Sequence, residues 1–330
     1  MSHSAIATTA IDGVMPKQKI TKRNARAACQ SKTEIISIGS HYTFNDDELE
    51  LLRQKGYTLR YVSLESANSY KSTIYIFNED FSKLNEELIK KCLPIDAEGH
   101  TFYSIHTFMD VFLHKNFIAP DFCVETFFNN NKIQPIPVPF LIIKRALDIV
   151  FALIGITGLA LLLPPVAFMI KRQSPGSIFF FQKRVGLNGK EFVCIKFRTM
   201  HVTEEKHAFS KGEDDPRIFK FAHFMRRTRI DEVPQFINVL KGEMSLIGPR
   251  PEIKSWVDKF QQNIPFYNKR HLVKPGITGL AQVLYRYGAN EEDAKQKLMY
   301  DLFYIEKHSA WLELKIFLKT FSTILKKKGC

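Results

Sequence analysis

Asp231 and Glu232 are adjacent carboxylates, and three arginines stand just before them, in Arg226-Arg227-Thr228-Arg229-Ile230-Asp231-Glu232-Val233-Pro234-Gln235. A carboxylate kept ionised beside guanidinium groups can act as a nucleophile or hold a metal next to a bound phosphate. Pro234 suits the first position of a helix, where its missing N–H costs nothing. The pair is therefore expected at a helix start, where the dipole also favours negative charge. The plain alternative is a helix cap with surface arginines. Two other stretches bear on the choice. In Gly248-Pro249-Arg250-Pro251 the prolines fix the backbone around one arginine, which suits bidentate phosphate recognition. Lys196 and Arg198 share one face of an extended chain, as a phosphate contact or as a plain solvated face.

The elements that must carry these residues divide the 330-residue chain by charge. Residues 1–143 hold 15 Lys+Arg against 16 Asp+Glu, whereas residues 144–330 hold 32 against 18. The whole basic excess is thus in the second part, which seeks anions: phosphorylated substrates, acidic lipid headgroups or nucleic acid. The five cysteines are scattered, with no zinc spacing, and fit a reducing compartment. No export signal is expected in residues 1–32, which read as a disordered basic arm. Residues 33–140 read as a small α/β accessory domain. Strands are expected at Thr33–Ile38, Tyr57–Leu64 and Ser72–Phe77, and helices at Asp46–Lys55 and Phe81–Cys92. Gly39 closes the first strand without a GxGxxG, so dinucleotide binding is unsupported. Asp46-Asp47 resembles the acidic corner of a receiver domain, but a solvated helix N-terminus explains it. Pro135, Pro137 and Pro139 then mark a semi-rigid linker.

From Ile149 to Ile170 there is no charged residue over 22 positions, which is long enough for a membrane helix. Lys144-Arg145 and Lys171-Arg172 flank the run, and Pro164-Pro165 interrupts it. Two successive prolines should break or sharply bend the helix. Basic residues at both ends suit a segment that enters and leaves on one cytoplasmic face. A straight span is the alternative. The re-entrant segment is placed at 141–172 and a further domain at 173–330. The last stretch, from Trp311 to Lys328, is amphipathic. It suits a membrane interface or a core-facing helix equally.

Taken together, these motifs resemble the bacterial sugar transferase family, the monotopic phosphoglycosyl transferases. The matching pieces are Lys144-Arg145 through Asp148, Ser174-Pro175-Gly176 through Gly186, and Lys196–Met200. Asp231–Gly242, Met244–Pro251, Lys274–Gly279 and Tyr300-Asp301 follow in order. The resemblance covers about 141–330. It implies a mainly α, small mixed α+β monotopic catalytic domain with a re-entrant kinked helix and interfacial amphipathic helices, on the cytoplasmic face of a bacterial inner membrane. It also implies transfer of a sugar 1-phosphate from a UDP-sugar to polyprenyl phosphate, releasing UMP. By motif position Asp231 would be the nucleophile forming an aspartyl phosphosugar, and Glu232 its assistant. Lys196, Arg198, Arg226, Arg250 and Asp301 would bind substrate, and Asp231 would ligate Mg2+. Membrane lipid is an implied partner, and a homodimer is compatible with the pattern. Many members carry Ser-Pro at the helix break where this chain has Pro164-Pro165. The resemblance assigns no role to residues 33–140.

Two other classes compete. A membrane-anchored nucleic-acid binder would explain the basic half, but no nucleic-acid motif is present and rigid Gly-Pro-Arg-Pro turns suit a small phosphate site. An inactive scaffold is disfavoured by the intact Asp231, Glu232, Arg226 and Arg250.

Overall fold

The structure, a computed structural model, describes residues 33–63, 66, 74–78, 90, 93, 100–118, 136–202, 215–285 and 290–325. The expected arm at 1–32 and most of the helix expected at Phe81–Cys92 lie outside them. The architecture is mixed α/β and mostly helical, in two compact units, 1–102 and 103–330.

The first unit is built on strand β1 (Thr33–Ile38), whose Ile35, Ile36 and Ile38 are fully buried. Helix α1 (Asp46–Gln54) follows, then β2 (Tyr57–Val62) and β3 (Ile74–Phe77), both parallel to β1. With β4 (Thr101–Ser104) the sheet order is β2-β1-β3-β4. Asn45 opens α1 through a capping box with Glu48, and Asp46 and Asp47 form its acidic first turn. At the carboxyl ends of β1 and β3 the Asn78 amide donates to Ser37 Oγ and to the Tyr42 carbonyl.

In the second unit, residues 103–118 include the short helix α2 (Ile105–Phe108). Helix α3 (Val138–Gln173) runs 36 residues and stays helical through Pro164-Pro165. Its apolar window has a mean hydropathy of 2.4 and is only 17% buried, so by length and composition it can cross a membrane. Leu141, Ile142, Leu153, Ile154, Leu161 and Phe168 form part of its exposed apolar surface. Its inner stripe packs on the rest of the unit: Leu159, Val166 and Ile170 meet Phe197, Ile218, Phe219, Ala222 and Met225.

Polar bonds fasten α3 at both ends. Near its start, Lys144 Nζ donates to both Glu313 oxygens (2.8 and 2.7 Å) and to the Ile247 carbonyl (3.0 Å). Arg145 caps the Val239 and Leu240 carbonyls, and Asp148 accepts from Ser245 Oγ and the Leu246 N–H. At its far end, Gln173 Oε1 accepts from the Phe221 N–H.

An antiparallel hairpin follows, β5 (Phe179–Val185) with β6 (Glu191–Phe197). Then come α4 (Lys220–Arg227), a 3-10 turn (Ile230–Gln235) and α5 (Phe236–Lys241). The parallel strands β7 (Ser245–Ile247) and β8 (Gly276–Thr278) flank α6 (Lys254–Asn263) and a second 3-10 turn (Tyr267–Leu272). A Cβ on Gly248 would overlap the Lys274 carbonyl oxygen, so only glycine lets the two chains meet there. Helices α7 (Leu280–Leu284), α8 (Glu291–Glu306) and α9 (Ala310–Leu325) complete the unit. Residues 103–118 are tied to α8 by Lys115 Nζ to Gln296 Oε1 (2.6 Å) and the Asn116 N–H to the Met299 carbonyl (2.9 Å). On α9, Ile316 is buried in the core, whereas Trp311, Leu314, Leu318 and Phe321 are exposed.

Candidate active site

The two carboxylates lie on the 3-10 turn, one turn ahead of α5, with Pro234 inside that turn. Neither caps it: the turn has no side-chain cap hydrogen bond. Arg229, immediately before, adopts a left-handed backbone (φ 57°), which is costly for a residue with a Cβ and is held in place by its surroundings. This kink sends the two side chains to different environments.

Glu232 is 5% exposed and is the hub of the cluster. Its Oε1 accepts from Lys196 Nζ and from Arg250 Nη2, both at 2.9 Å, and its Oε2 lies 3.3 Å from Arg229 Nη1. Burial opposes its ionisation, but Arg250, Lys196 and Arg229 outweigh burial and hold its carboxyl well below the usual range. Asp231 is partly exposed, and no hydrogen bond or ion pair reaches its carboxylate from any described residue. Burial of its surroundings, with the Glu232 charge beside it, pushes its carboxyl up to about 6 against the pull of Lys196, Arg250 and Arg226. The sequence expectation that the arginines keep Asp231 ionised is therefore modified. Glu232 takes the nearby cations, and Asp231 meets a desolvated site next to a like charge.

The partners are placed by elements distant in sequence. Lys196 is on β6, held against α5 by Asn238, whose side chain accepts from the Ile195 N–H (3.1 Å) and donates to the Val193 carbonyl (2.7 Å). Arg250 follows β7, and its carbonyl accepts from Arg270 Nη2 at 2.9 Å. Arg184, Cys194, Lys196, Gln235, Arg250 and Pro251 line one cleft. Burial pushes the Cys194 thiol up, so it is a neutral wall.

Of the sequence candidates, Asp231, Glu232, Lys196 and Arg250 come together, and Arg226 is close enough to act on Asp231 electrostatically. Arg198 is not in the cluster. Its guanidinium donates to Ser174 Oγ and to the Ser174, Pro175 and Ser177 carbonyls at 2.5–3.0 Å, tying the end of α3 to the hairpin. Asp301 lies one layer behind: it pairs with Arg270 (2.9 Å), and both are buried. Sequence reasoning passed over Arg184, Asn238 and Arg270 as site residues, and it named Arg229 only as one of the three arginines before the pair. Only Arg229, three residues before Glu232 on a turn, had a local signal.

A carboxylate without partners among the described residues, beside a carboxylate saturated by cations and a cleft to which Arg184 adds one more cationic side chain, can attack a phosphoryl group whose charge the cations neutralise. Residues 140–327 match the bacterial sugar transferase family. The chain is 45% identical over 192 residues to a UDP-N-acetylgalactosamine-undecaprenyl-phosphate N-acetylgalactosaminephosphotransferase of Aeromonas hydrophila, covering 58% of this chain and 45% of that protein. It is 40% identical over 190 residues to a UDP-glucose:undecaprenyl-phosphate glucose-1-phosphate transferase of Escherichia coli strain K12 (56% and 41% covered). A protein of the same description from Caulobacter vibrioides is 40% identical over 185 residues (55% and 69% covered). The chain spans less than half the length of the first two of these relatives.

Proposed function

The chain belongs to the bacterial sugar transferase family, and on that premise we propose that it transfers a sugar 1-phosphate from a UDP-sugar to polyprenyl phosphate, with Asp231 as nucleophile. The observation that carries this is the unpartnered Asp231 carboxylate beside the Lys196–Glu232–Arg250 cluster. An Asp231 oxygen attacks the sugar-bearing phosphorus. The bond to the bridging oxygen breaks, and UMP leaves with that oxygen. A polyprenyl phosphate oxygen then attacks the aspartyl phosphosugar, and the acyl-phosphate P–O bond breaks to restore the carboxylate. Lys196 and Arg250 are placed to bind phosphoryl oxygens, and Arg226 adds positive charge beside Asp231.

Mg2+ fits this donor set. No cluster of three or more carboxylate, histidine or cysteine ligands exists among the described residues. Mg2+ commonly takes one or two carboxylates with substrate phosphates and water. The free Asp231 carboxylate would hold it, and it would neutralise diphosphate charge.

The lipid acceptor requires a membrane, and α3 supports one. Both its ends, through Lys144 and Gln173, bind the same unit, which favours a re-entrant segment on one membrane face over a straight span. The exposed apolar face of α9, with Lys315 over the Trp311 ring, fits the interface of that face, proposed to be the cytoplasmic side of the bacterial inner membrane.

The test is UMP release from a panel of UDP-sugars by membrane-reconstituted protein with polyprenyl phosphate and Mg2+. Asp231→Asn should abolish both release and the mass increment of a phosphosugar adduct. Full turnover by that variant would exclude the covalent route. Cysteine labels at Ser40 and Glu291 should react from one membrane side; opposite sides would exclude re-entry.

A further inference from the structure

Lys196 and Arg250 converge on a single oxygen, Glu232 Oε1, at 2.9 Å each. A phosphoryl oxygen makes the same charge-assisted bonds to Lys and Arg as a carboxylate oxygen. We propose that the Glu232 carboxylate is a built-in occupant of the phosphate subsite, which a phosphoryl group of the substrate displaces from Lys196 and Arg250. This rests on the phosphoglycosyl transferase reading of the same site.

Three further observations carry it. First, the cleft is lined by a residue with an unused donor: Arg184 Nε is buried and has no acceptor among the described residues, although the guanidinium is anchored by Nη1 to the Pro251 carbonyl (2.8 Å) and Nη2 to Gln182 Oε1 (2.5 Å). A buried N–H left unpaired is costly, and an incoming anion would satisfy it. Second, the cationic groups are the better-fixed partners. Lys196 extends from a paired strand whose backbone is locked by Asn238, and the Arg250 backbone is held by Arg270 and two prolines. Glu232 sits on a 3-10 turn with no side-chain cap to lose, so it is the group that can leave. Third, Glu232 has somewhere to go. Its Oε2 already lies 3.3 Å from Arg229, which does not line the cleft.

In this arrangement Glu232 keeps two cations aimed at the phosphate position while the site is empty, and it competes with every anion that enters. Removing its charge must then strengthen anion binding. If Glu232 only positioned the cations, removing its charge would loosen them and weaken binding.

The experiment measures the affinity of the detergent-purified 330-residue chain for inorganic pyrophosphate and for UDP by calorimetry, with uridine as the uncharged control. Glu232→Gln should bind pyrophosphate and UDP at least about tenfold more tightly than the unsubstituted protein, with uridine unchanged. Glu232→Asp keeps the charge on a shorter arm and guards against misfolding of the first variant. It should tighten both anions by a smaller factor. Equal or weaker anion affinity in both variants overturns the displacement. Tightening of pyrophosphate with no UDP binding in any form retains the displacement and removes the nucleotide-sugar reading. UDP binding that is identical in all three forms does the reverse.

Discussion

Replacing Gly155 by alanine sets the packing of the long helix directly against the catalytic turn. A Cβ at this position would lie no more than 2.6 Å from three ring carbons of Phe236, including Cγ at the root of the ring. Phe236 is the first residue of α5, directly after Gln235 of the turn that carries Asp231 and Glu232. The ring cannot clear the methyl by moving only its tip, so α3 and α5 must separate or Phe236 must leave its rotamer. Such overpacking costs about 1–3 kcal/mol. Gly158, one turn further along, is the internal control, because a Cβ there meets nothing within 4 Å. Alanine in a helix interior is favoured over glycine by roughly 0.8–1.0 kcal/mol, so Gly158→Ala should be neutral or stabilising. Both substitutions gain the same helix propensity, so the two alanine variants should differ by the overpacking cost alone, about 1–3 kcal/mol, although the chemical change is the same. At roughly 2–4 °C per kcal/mol, thermal unfolding in nanodiscs should separate them by at least about 2 °C. UMP release should also fall in Gly155→Ala and not in Gly158→Ala. Equal melting and equal turnover would refute the claim that α3 seats the turn through this contact.

Further outcomes follow from the charged groups. The rate of UMP release should fall as pH drops below about 6, because in the proposed reaction Asp231 attacks as a carboxylate and its carboxyl is pushed up to that value. A profile flat down to pH 5 would contradict this. Glu232 has the opposite sign: its folded value is below the ordinary 4.5, so the stability it contributes is present above 4.5 and lost as pH falls through the folded value. Denaturation midpoints should accordingly decline on acidification from pH 5. Arg270→Ala should cost about 3–5 kcal/mol by leaving Asp301 buried without its partner, and adding Asp301→Asn should restore part of it. Additive losses in a denaturant series would mean the pair is uncoupled. Arg198→Ala should lower stability by about 1–3 kcal/mol while KM for the UDP-sugar changes little, because the carbonyls it serves lie at the end of α3. A large KM effect with intact stability would return Arg198 to the phosphate site.

The sequence by itself picked out the candidate site residues and the long apolar helix. Asp231, Glu232, Arg226 and Arg250 lie in short motifs whose residue types state their chemistry, and the charge-free run over 149–170 states its solvent. Strand β1 and helix α1 were equally legible, from a β-branched run and an acidic helix start at Asp46-Asp47. Their signals are local, within one strand or one turn. What only the tertiary structure decided is which residues share a partner. Lys196 and Arg198 are two positions apart on one extended stretch, yet one reaches Glu232 and the other the end of α3. Asp301 reads as a site residue, but Arg270, 31 positions away, claims it. Residues 103–118 join the second unit through bonds to α8 that span 181 and 190 positions. The roles of adjacent Asp231 and Glu232 were also separated by the fold. The left-handed Arg229 turns Glu232 into the cations and leaves Asp231 without a partner. Sequence spacing specifies faces and turns, whereas competition of many donors for one buried oxygen is settled only when distant segments pack.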